Sequence, residues 1–263
     1  MAGIYIHIPY CKQACSYCDF YFTVHLLDKQ EFIKALLEEI ESRTAYLENQ
    51  TIETIYFGGG TPSQLSTQEL NSIIEAIQMN YSVTGNVEIT VETNPDNLTE
   101  DYLKQLSEIG ANRLSIGIQS FKNEDLTLMN RAHNAAEAKN CISLARVSGF
   151  NNISIDLIYG LPDSSIEDWQ NNIQQALKLN PEHISAYNLT IETGTPLAHL
   201  VSKGRVSIPS DDEVVLQHNL LVDLLSKAGF EHYETSNFAK QGFRSKHNSS
   251  YWKGIHYLGF GPS

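Results

Sequence analysis

Apolar and polar positions along this chain follow two rhythms that take turns. Runs in which β-branched or aromatic residues alternate with others occupy residues 4–8, 54–57, 87–92, 113–119, 153–158 and 184–189. A period of two marks strands. Between them the apolar spacing changes to that of helices. Residues 28–43 carry Phe32, Leu36, Leu37 and Ile40 on one face. Residues 66–79 open with Ser66 and Glu69, the pair that makes a capping box. Residues 99–109 end at Gly110, residues 134–147 at Gly149, and residues 165–179 are closed by Pro181, all helix-stop signals. Repeated strand–helix alternation predicts βαβ units on a parallel sheet. Six such units give an α/β fold, a partial, open (β/α)6 barrel of TIM-like form.

After Leu189 the rhythm changes. A loop with Gly194, Pro196, Gly204 and Pro209 leads to an amphipathic helix over 211–228, ended by Gly229, and a strand-like segment over 230–237. The tail, 243–263, is rich in Gly, His and aromatics and predicts neither helix nor strand. Residues 1–200 form the barrel domain on this reading. Residues 201–263 begin a C-terminal region that looks truncated after GFGPS.

Side chains alternate faces along a strand, so the greasy set of each strand marks the side under the helices. Ile4, Ile6 and Ile8 oppose Tyr5 and His7. Ile89 and Val91 oppose Thr90 and Glu92. Leu114, Ile116 and Ile118 oppose Ser115, Gly117 and Gln119, and Ile153, Ile155 and Leu157 oppose Ser154 and Asp156. A closed barrel fills its interior with branched apolar side chains; here the interior set is polar. Glu92, Gln119 and Asp156 without partners would cost several kcal/mol each (roughly,). The interior is therefore expected to hold a polar ligand or water, near the C-terminal strand ends where barrel enzymes place their chemistry.

Composition narrows the partners. The 263 residues are 41% hydrophobic and 19% charged, with a formal net charge of −13, which argues against a nucleic-acid backbone or an anionic membrane surface. The start, MAGIYIHIPY, has no basic and long apolar leader, and no stretch is long and apolar enough to span a membrane. Three of the four cysteines fall in Cys11-Lys-Gln-Ala-Cys15-Ser-Tyr-Cys18. A disulfide framework spreads its cysteines, so this triplet reads as a metal or cluster site in a reducing compartment, the cytoplasm. Three thiolates suit an iron–sulfur cubane with one iron left open. The alternative is structural zinc, with His7 or His25 as fourth ligand. The isolated Cys141 lies in a helical pattern and reads as apolar filler. Gly58-Gly59-Gly60-Thr61-Pro62, directly after the second strand, suggests backbone contact with a ligand.

The three-then-two cysteine spacing, with Tyr17 before the third cysteine, resembles the signature of the radical S-adenosylmethionine (SAM) superfamily. Gly58–Gly60 resembles its glycine motif for the methionyl amino group. The resemblance implies a [4Fe–4S] cluster on Cys11, Cys15 and Cys18 whose open iron is chelated by SAM. An electron from the cluster then splits SAM into methionine and a 5′-deoxyadenosyl radical. In order along the chain come Tyr5-Ile-His-Ile-Pro9, the triplet, GGGTP, Glu92-Thr-Asn-Pro95, Ser115-Ile-Gly-Ile-Gln119-Ser-Phe121, Met129-Asn-Arg131 and Asp156-Leu-Ile-Tyr-Gly-Leu-Pro162. Together these resemble the oxygen-independent coproporphyrinogen III oxidase (HemN) family over nearly the whole chain. The resemblance implies that Tyr5, Tyr17, Gly59, Gly60, Thr61, Glu92, Gln119, Arg131 and Asp156 line the SAM site.

Within that family the chain departs from the decarboxylating enzyme, which carries a fourth cysteine two residues after the third. Phe20 stands there. Cys18-Asp-Phe20 and His247-Asn248-Ser-Ser-Tyr251-Trp252 are similar to the HemW-like haem-chaperone branch. The resemblance implies a haem-binding protein that passes haem to an acceptor protein and draws on an electron donor. On that reading His247 is a haem-iron ligand, Tyr251 and Trp252 stack on the porphyrin, and Arg244 or Lys246 meets a propionate; the plain alternative is a structural turn with His247 hydrogen-bonded and Trp252 in the core. Whether the chain is an enzyme stays open: the rival function is conversion of coproporphyrinogen III propionates to vinyls.

Overall fold

The computed structural model describes residues 1–262. The chain runs β1 (Ala2–Ile8), α1 (Lys29–Ser42), β2 (Ile52–Gly59), α2 (Thr67–Asn80), β3 (Val83–Thr93), α3 (Glu100–Glu108), β4 (Arg113–Gln119), α4 (Asn123–Leu128), α5 (Ala135–Val147), β5 (Ile153–Tyr159), α6 (Ile166–Lys178) and β6 (His183–Asn188). It continues with α7 (Pro196–Ser202), α8 (Asp211–Lys227), β7 (Glu231–His232), β8 (Asn237–Ala239), α9 (Lys246–Trp252) and β9 (His256–Phe260). The strands form one sheet in the order β7-β8-β6-β5-β4-β3-β2-β1-β9. From β6 to β9 of that order the neighbours are parallel; β8 runs antiparallel to β6, and β7 to β8. The sheet curls without closing, as the alternation of six strands and helices predicted.

Burial follows the alternation. Ile4, Ile6, Ile8, Val91, Leu114, Ile116, Ile118, Ile153, Ile155 and Leu157 are fully buried under the helices. Each such side chain contributes about 1.5–3 kcal/mol relative to exposure. The helices meet them with stripes such as Leu70, Ile73, Ile74 and Ile77 of α2 and Leu103 and Leu106 of α3. On α1 the buried stripe is Ile33, Leu36 and Ile40, with Phe32 and Leu37 only partly covered; the helix is turned slightly from the expected face. Capping boxes start α2 (Ser66 and Glu69), α5, α6 and α8, satisfying backbone N–H groups that have no partner in the first turn.

Past β6 the structure corrects the expectation in two places. The segment 230–237 is not one strand: Phe230 is buried, β7 holds two residues, and the chain turns back into β8. The tail is not irregular. Its α9 is capped by Ser245, whose side chain accepts from Asn248 N, and its β9 adds in parallel to β1. Residues after 200 thus extend the same sheet at both edges.

Candidate functional site

The loop after β1 carries Cys11, Cys15 and Cys18, all free and half-buried. It has little structure of its own, so its bonds come from elsewhere. Cys11 N donates to Thr23 O at 2.9 Å, and Thr23 N to Pro9 O at 2.7 Å. The turn after α4 holds the middle of the loop. Ser16 N donates to Met129 O (3.0 Å), Ser16 Oγ to Leu128 O (2.7 Å) and Asn130 Nδ2 to Ala14 O (2.7 Å). Met129-Asn-Arg131 is therefore the clamp on the cysteine loop. Arg131 itself is no solvated loop arginine. Its Nη1 lies 3.2 Å from Cys15 Sγ, and its Nη2 donates to Asn94 Oδ1 (2.6 Å) and Gly117 O (2.8 Å). Its buried Nε has no partner within the protein.

Behind the cysteines opens a cavity of about 610 Å³ inside the curled sheet. Besides the cysteines, Tyr17, Gly59, Gly60, Thr61, Glu92, Gln119, Arg131 and Asp156 line it. The structure thus brings together eight of the nine residues expected around SAM. The ninth, Tyr5, does not line the cavity; its ring stacks on that of Tyr56 at 6.1 Å between centroids. Tyr56, Asn94, Ser115, Ser185, Tyr187 and Asn248 line the cavity as well; of these, alternation had already placed Ser115 on the inward face. Tyr56 and Ser185 also fall on the inward face of their strands, so alternation could have found them too. Asn248 could not be found that way, since only the docking of α9 brings it there.

The glycine motif does the work of close approach. A Cβ at Gly60 would stand 2.9 Å from the carbonyl carbon of Pro9 and the oxygen of Tyr10. Gly60 N donates to Ile8 O at 2.8 Å, so the turn after β2 lies against the start of the cysteine loop. Gly59 adopts φ +106°, open to glycine at little cost. Thr61 Oγ1 lies 3.6 Å from Cys11 Sγ. Gln119 adopts φ +65° where the β4–β5 register slips, and this strained backbone sits at the cavity wall.

Two carboxylates share the cavity. Glu92 accepts from Tyr56 Oη at 2.8 Å, and Asp156 from Ser115 Oγ at 3.2 Å. Burial, helped by the nearby Asp156 charge, pushes Glu92 up to about 7. Burial pushes Asp156 up to about 6, against the hydrogen bond from Ser185 and the charge of Arg113. Burial also raises the Cys11 thiol, and raises Cys18 to about 11, so binding iron releases protons.

A zinc site fits poorly. His7 Nε2 lies 2.9 Å from Tyr21 O and is engaged there, and His25 is exposed. Among the described residues no three His, Cys, Asp or Glu side chains converge as one metal ion would require. A cubane, which spaces its thiolates apart, suits an open loop better. Cys141 is buried in the core of α5, as expected.

For His247 the sequence left two readings open, a haem-iron ligand and a hydrogen-bonded residue of a structural turn; in the structure both ring nitrogens are engaged. Nδ1 lies 2.8 Å from Thr54 Oγ1, and Nε2 lies 3.0 Å from Tyr251 Oη. The ring stacks on Tyr56 at 5.0 Å, and the residue is 3% exposed. His247 plugs the N-terminal end of the barrel. Trp252, in contrast, is not in the core but 68% exposed, and Tyr251 is partly exposed. Arg244 is paired with Glu231.

Comparison with known proteins places this arrangement. Residues 5–176 match the radical SAM superfamily. Over 99% of its length the chain is 38% identical to a protein named haem chaperone HemW from Bacillus subtilis, covering 69% of that protein. It is 37% identical to HemW from Escherichia coli, over 98% of this chain and 68% of that one. The chain belongs to the HemW family of radical SAM proteins. The fold agrees: coproporphyrinogen III oxidase (HemN) from Escherichia coli superposes with a TM-score of 0.85 at 24% identity, over all of this chain and 63% of that structure. Radical SAM proteins use a [4Fe–4S] cluster and SAM, and Cys11, Cys15 and Cys18 fit that motif. Among the described residues no helix is long and apolar enough to cross a membrane.

Proposed function

We propose that this chain is a haem chaperone that holds a [4Fe–4S] cluster on Cys11, Cys15 and Cys18 and binds SAM in the adjoining cavity. The observation that carries this reading is the meeting of three free cysteines, clamped by the Met129–Arg131 turn, with a polar cavity walled by Glu92, Gln119, Arg131 and Asp156. Gly59, Gly60 and Thr61 bring backbone close to the methionyl end. Arg131, with a buried Nε lacking a protein partner, is placed to meet a carboxylate. Tyr17 closes the cavity from the loop, and Tyr5 stacks on Tyr56 of the cavity wall. When bound, the cluster supplies the electron that cleaves SAM; the residues around it orient SAM and exclude water.

Haem handling is favoured over decarboxylation by Phe20. It stands where the decarboxylating enzyme carries a further cysteine, and it lines the cavity. Haem is not ligated by His247 while α9 stays docked, whereas Tyr251 and Trp252 offer exposed rings for stacking. The partners are a haem-accepting protein and an electron donor in the cytoplasm. Residues 1–200 form the SAM-binding domain, and residues 201–263 begin a region that completes the sheet and presents the aromatic pair.

The test is anaerobic. Reconstituted protein titrated with haem is expected to develop a saturable Soret band, retained in His247→Ala. Incubated with coproporphyrinogen III, SAM and a reductant, it is expected to yield no vinyl product. Vinyl product, or no haem binding at all, would overturn the assignment.

A further inference from the structure

Asn94 follows β3 and lines the cavity. Its backbone is pinned before its side chain is used. Asn94 N donates to Ser63 Oγ at 3.3 Å, and Asn97 N donates to Asn94 O at 3.0 Å. Asn97 Oδ1 in turn accepts from Ser63 Oγ (3.2 Å) and Gln64 Nε2 (3.0 Å). The turns after β2 and β3 are thereby laced together, and the Asn94 side chain lies between Thr61 and Arg131. Gly117 on β4 leaves the room: a Cβ there would stand 3.3 Å from Asn94 Oδ1 and 3.3 Å from Arg131 Nη2.

Counting donors fixes which way each group points. Arg131 Nη2 lies 2.6 Å from Asn94 Oδ1. A guanidinium only donates, so the amide oxygen faces Arg131 and the amide nitrogen faces away. That nitrogen lies 3.3 Å from Thr61 Oγ1. An amide nitrogen also only donates, so the Thr61 oxygen accepts and its hydroxyl proton is left to give. The sulfur of Cys11 lies 3.6 Å from that oxygen, within reach because sulfur is larger than oxygen. Arg131 divides its own donors. Nη2 is held by Asn94 and Gly117 O, Nη1 is turned to Cys15 Sγ at 3.2 Å, and Nε stays available to SAM. One carboxamide thus aims an O–H at the first cysteine and an N–H at the second.

We infer that Asn94 is a positioning residue that sets the reduction potential of the cluster: it fixes Thr61 and Arg131 as donors to the sulfurs of Cys11 and Cys15, and touches neither sulfur itself. The inference rests on the assignment of a [4Fe–4S] cluster to Cys11, Cys15 and Cys18. Reduction takes one electron from the external donor; no bond forms or breaks and no proton moves. It adds negative charge to a site that already carries thiolates. Hydrogen bonds to those sulfurs favour the more negative state. They therefore raise the potential, which eases loading of the electron that SAM cleavage needs.

The experiment is a redox titration of the anaerobically reconstituted protein, followed by electron paramagnetic resonance, with iron and sulfide counted in each sample. SAM is left out, so that a changed SAM contact does not enter the reading. Thr61→Val, which removes the hydroxyl and nearly keeps the shape, is expected to lower the reduced-to-oxidised ratio at a fixed potential roughly threefold. Asn94→Ala, which frees both donors, is expected to lower it about tenfold, a shift of about 59 mV for one electron. Thr61→Ser, which keeps the hydroxyl, is expected to hold the wild-type potential. In the Thr61→Val background Asn94→Ala is expected to shift the ratio less than it does in the wild type, because one of its two routes to sulfur is gone. A wild-type potential in Asn94→Ala, equal potentials in Thr61→Val and Thr61→Ser, or full additivity in the double variant would overturn the role. Should Asn94→Ala take up no iron, the two Thr61 variants decide by the same criterion. A wild type that assembles no cluster would instead sink the cluster assignment.

Discussion

At the residue scale, Gly60 is the position where one atom decides most. Its missing Cβ lets the turn after β2 sit against Pro9 and Tyr10, and that contact sets the cysteine loop against the cavity. Gly60→Ala forces backbone apart, since neither neighbouring atom belongs to a flexible side chain. The expected cost is about 1–3 kcal/mol in stability, with SAM affinity weakened roughly tenfold or more. Denaturant unfolding and equilibrium dialysis check both; an Ala variant with wild-type SAM affinity would show that the close approach is dispensable. The sequence already pointed to this motif, because three successive glycines exceed what a tight turn needs. It also pointed to Glu92, Gln119 and Asp156, because polar residues on the inward face of several strands demand a partner. It did not show that Arg131 is held by Asn94 and Gly117, nor that Asn94 joins it to Thr61. Both depend on strands brought side by side.

At the scale of elements, α9 is the piece whose meaning changed most. Its sequence, KHNSSYW, reads as a ligand motif, yet it folds as a plug. Glu88 caps its backbone, and His247 reaches into the barrel to Thr54 and Tyr56. Burial, with the charge of Arg113, lowers His247 to about 4 from the usual 6.5. The neutral ring belongs to the fold. Its contribution is therefore complete above pH 6.5 and is lost as pH falls towards about 4, worth up to about 3 kcal/mol. His133, likewise lowered to about 4, acts with the same sign, whereas Glu92, raised to about 7, acts with the opposite one. The informative quantity is therefore a difference. Denaturant unfolding at about pH 7.5 and pH 5 is expected to show a smaller acid loss in His247→Gln than in the wild type. An equal loss would mean that the ring is not held neutral. The same region shows where periodicity runs out. The helices α4, α7 and α9 are six or seven residues long, too short for an apolar period to register. In β9 only Leu258 and Phe260 are buried. Its strand state comes from β1, far away in sequence.

At the scale of the molecule, the open sheet explains why the interior can be polar. A closed barrel packs its middle with branched side chains. Here the curl from β6 to β9 stays open and leaves about 610 Å³ beneath the cysteine loop. The apolar faces, buried under the helices, supply the stability, and the polar faces are released for ligand. The alternation along six strands made this division legible; the addition of β7–β9 at the two edges was not, because those strands are short and formed by tertiary pairing. The central claim is that this cavity brings SAM to a cluster held by only three thiolates. The most direct measurement is the electron paramagnetic resonance spectrum of the anaerobically reconstituted, reduced protein with and without SAM. The account predicts a [4Fe–4S] signal whose g-values shift when SAM binds, because the iron that lacks a cysteine takes a new ligand. A cluster signal that SAM leaves unchanged, or a chain that takes up zinc and no iron, would contradict it.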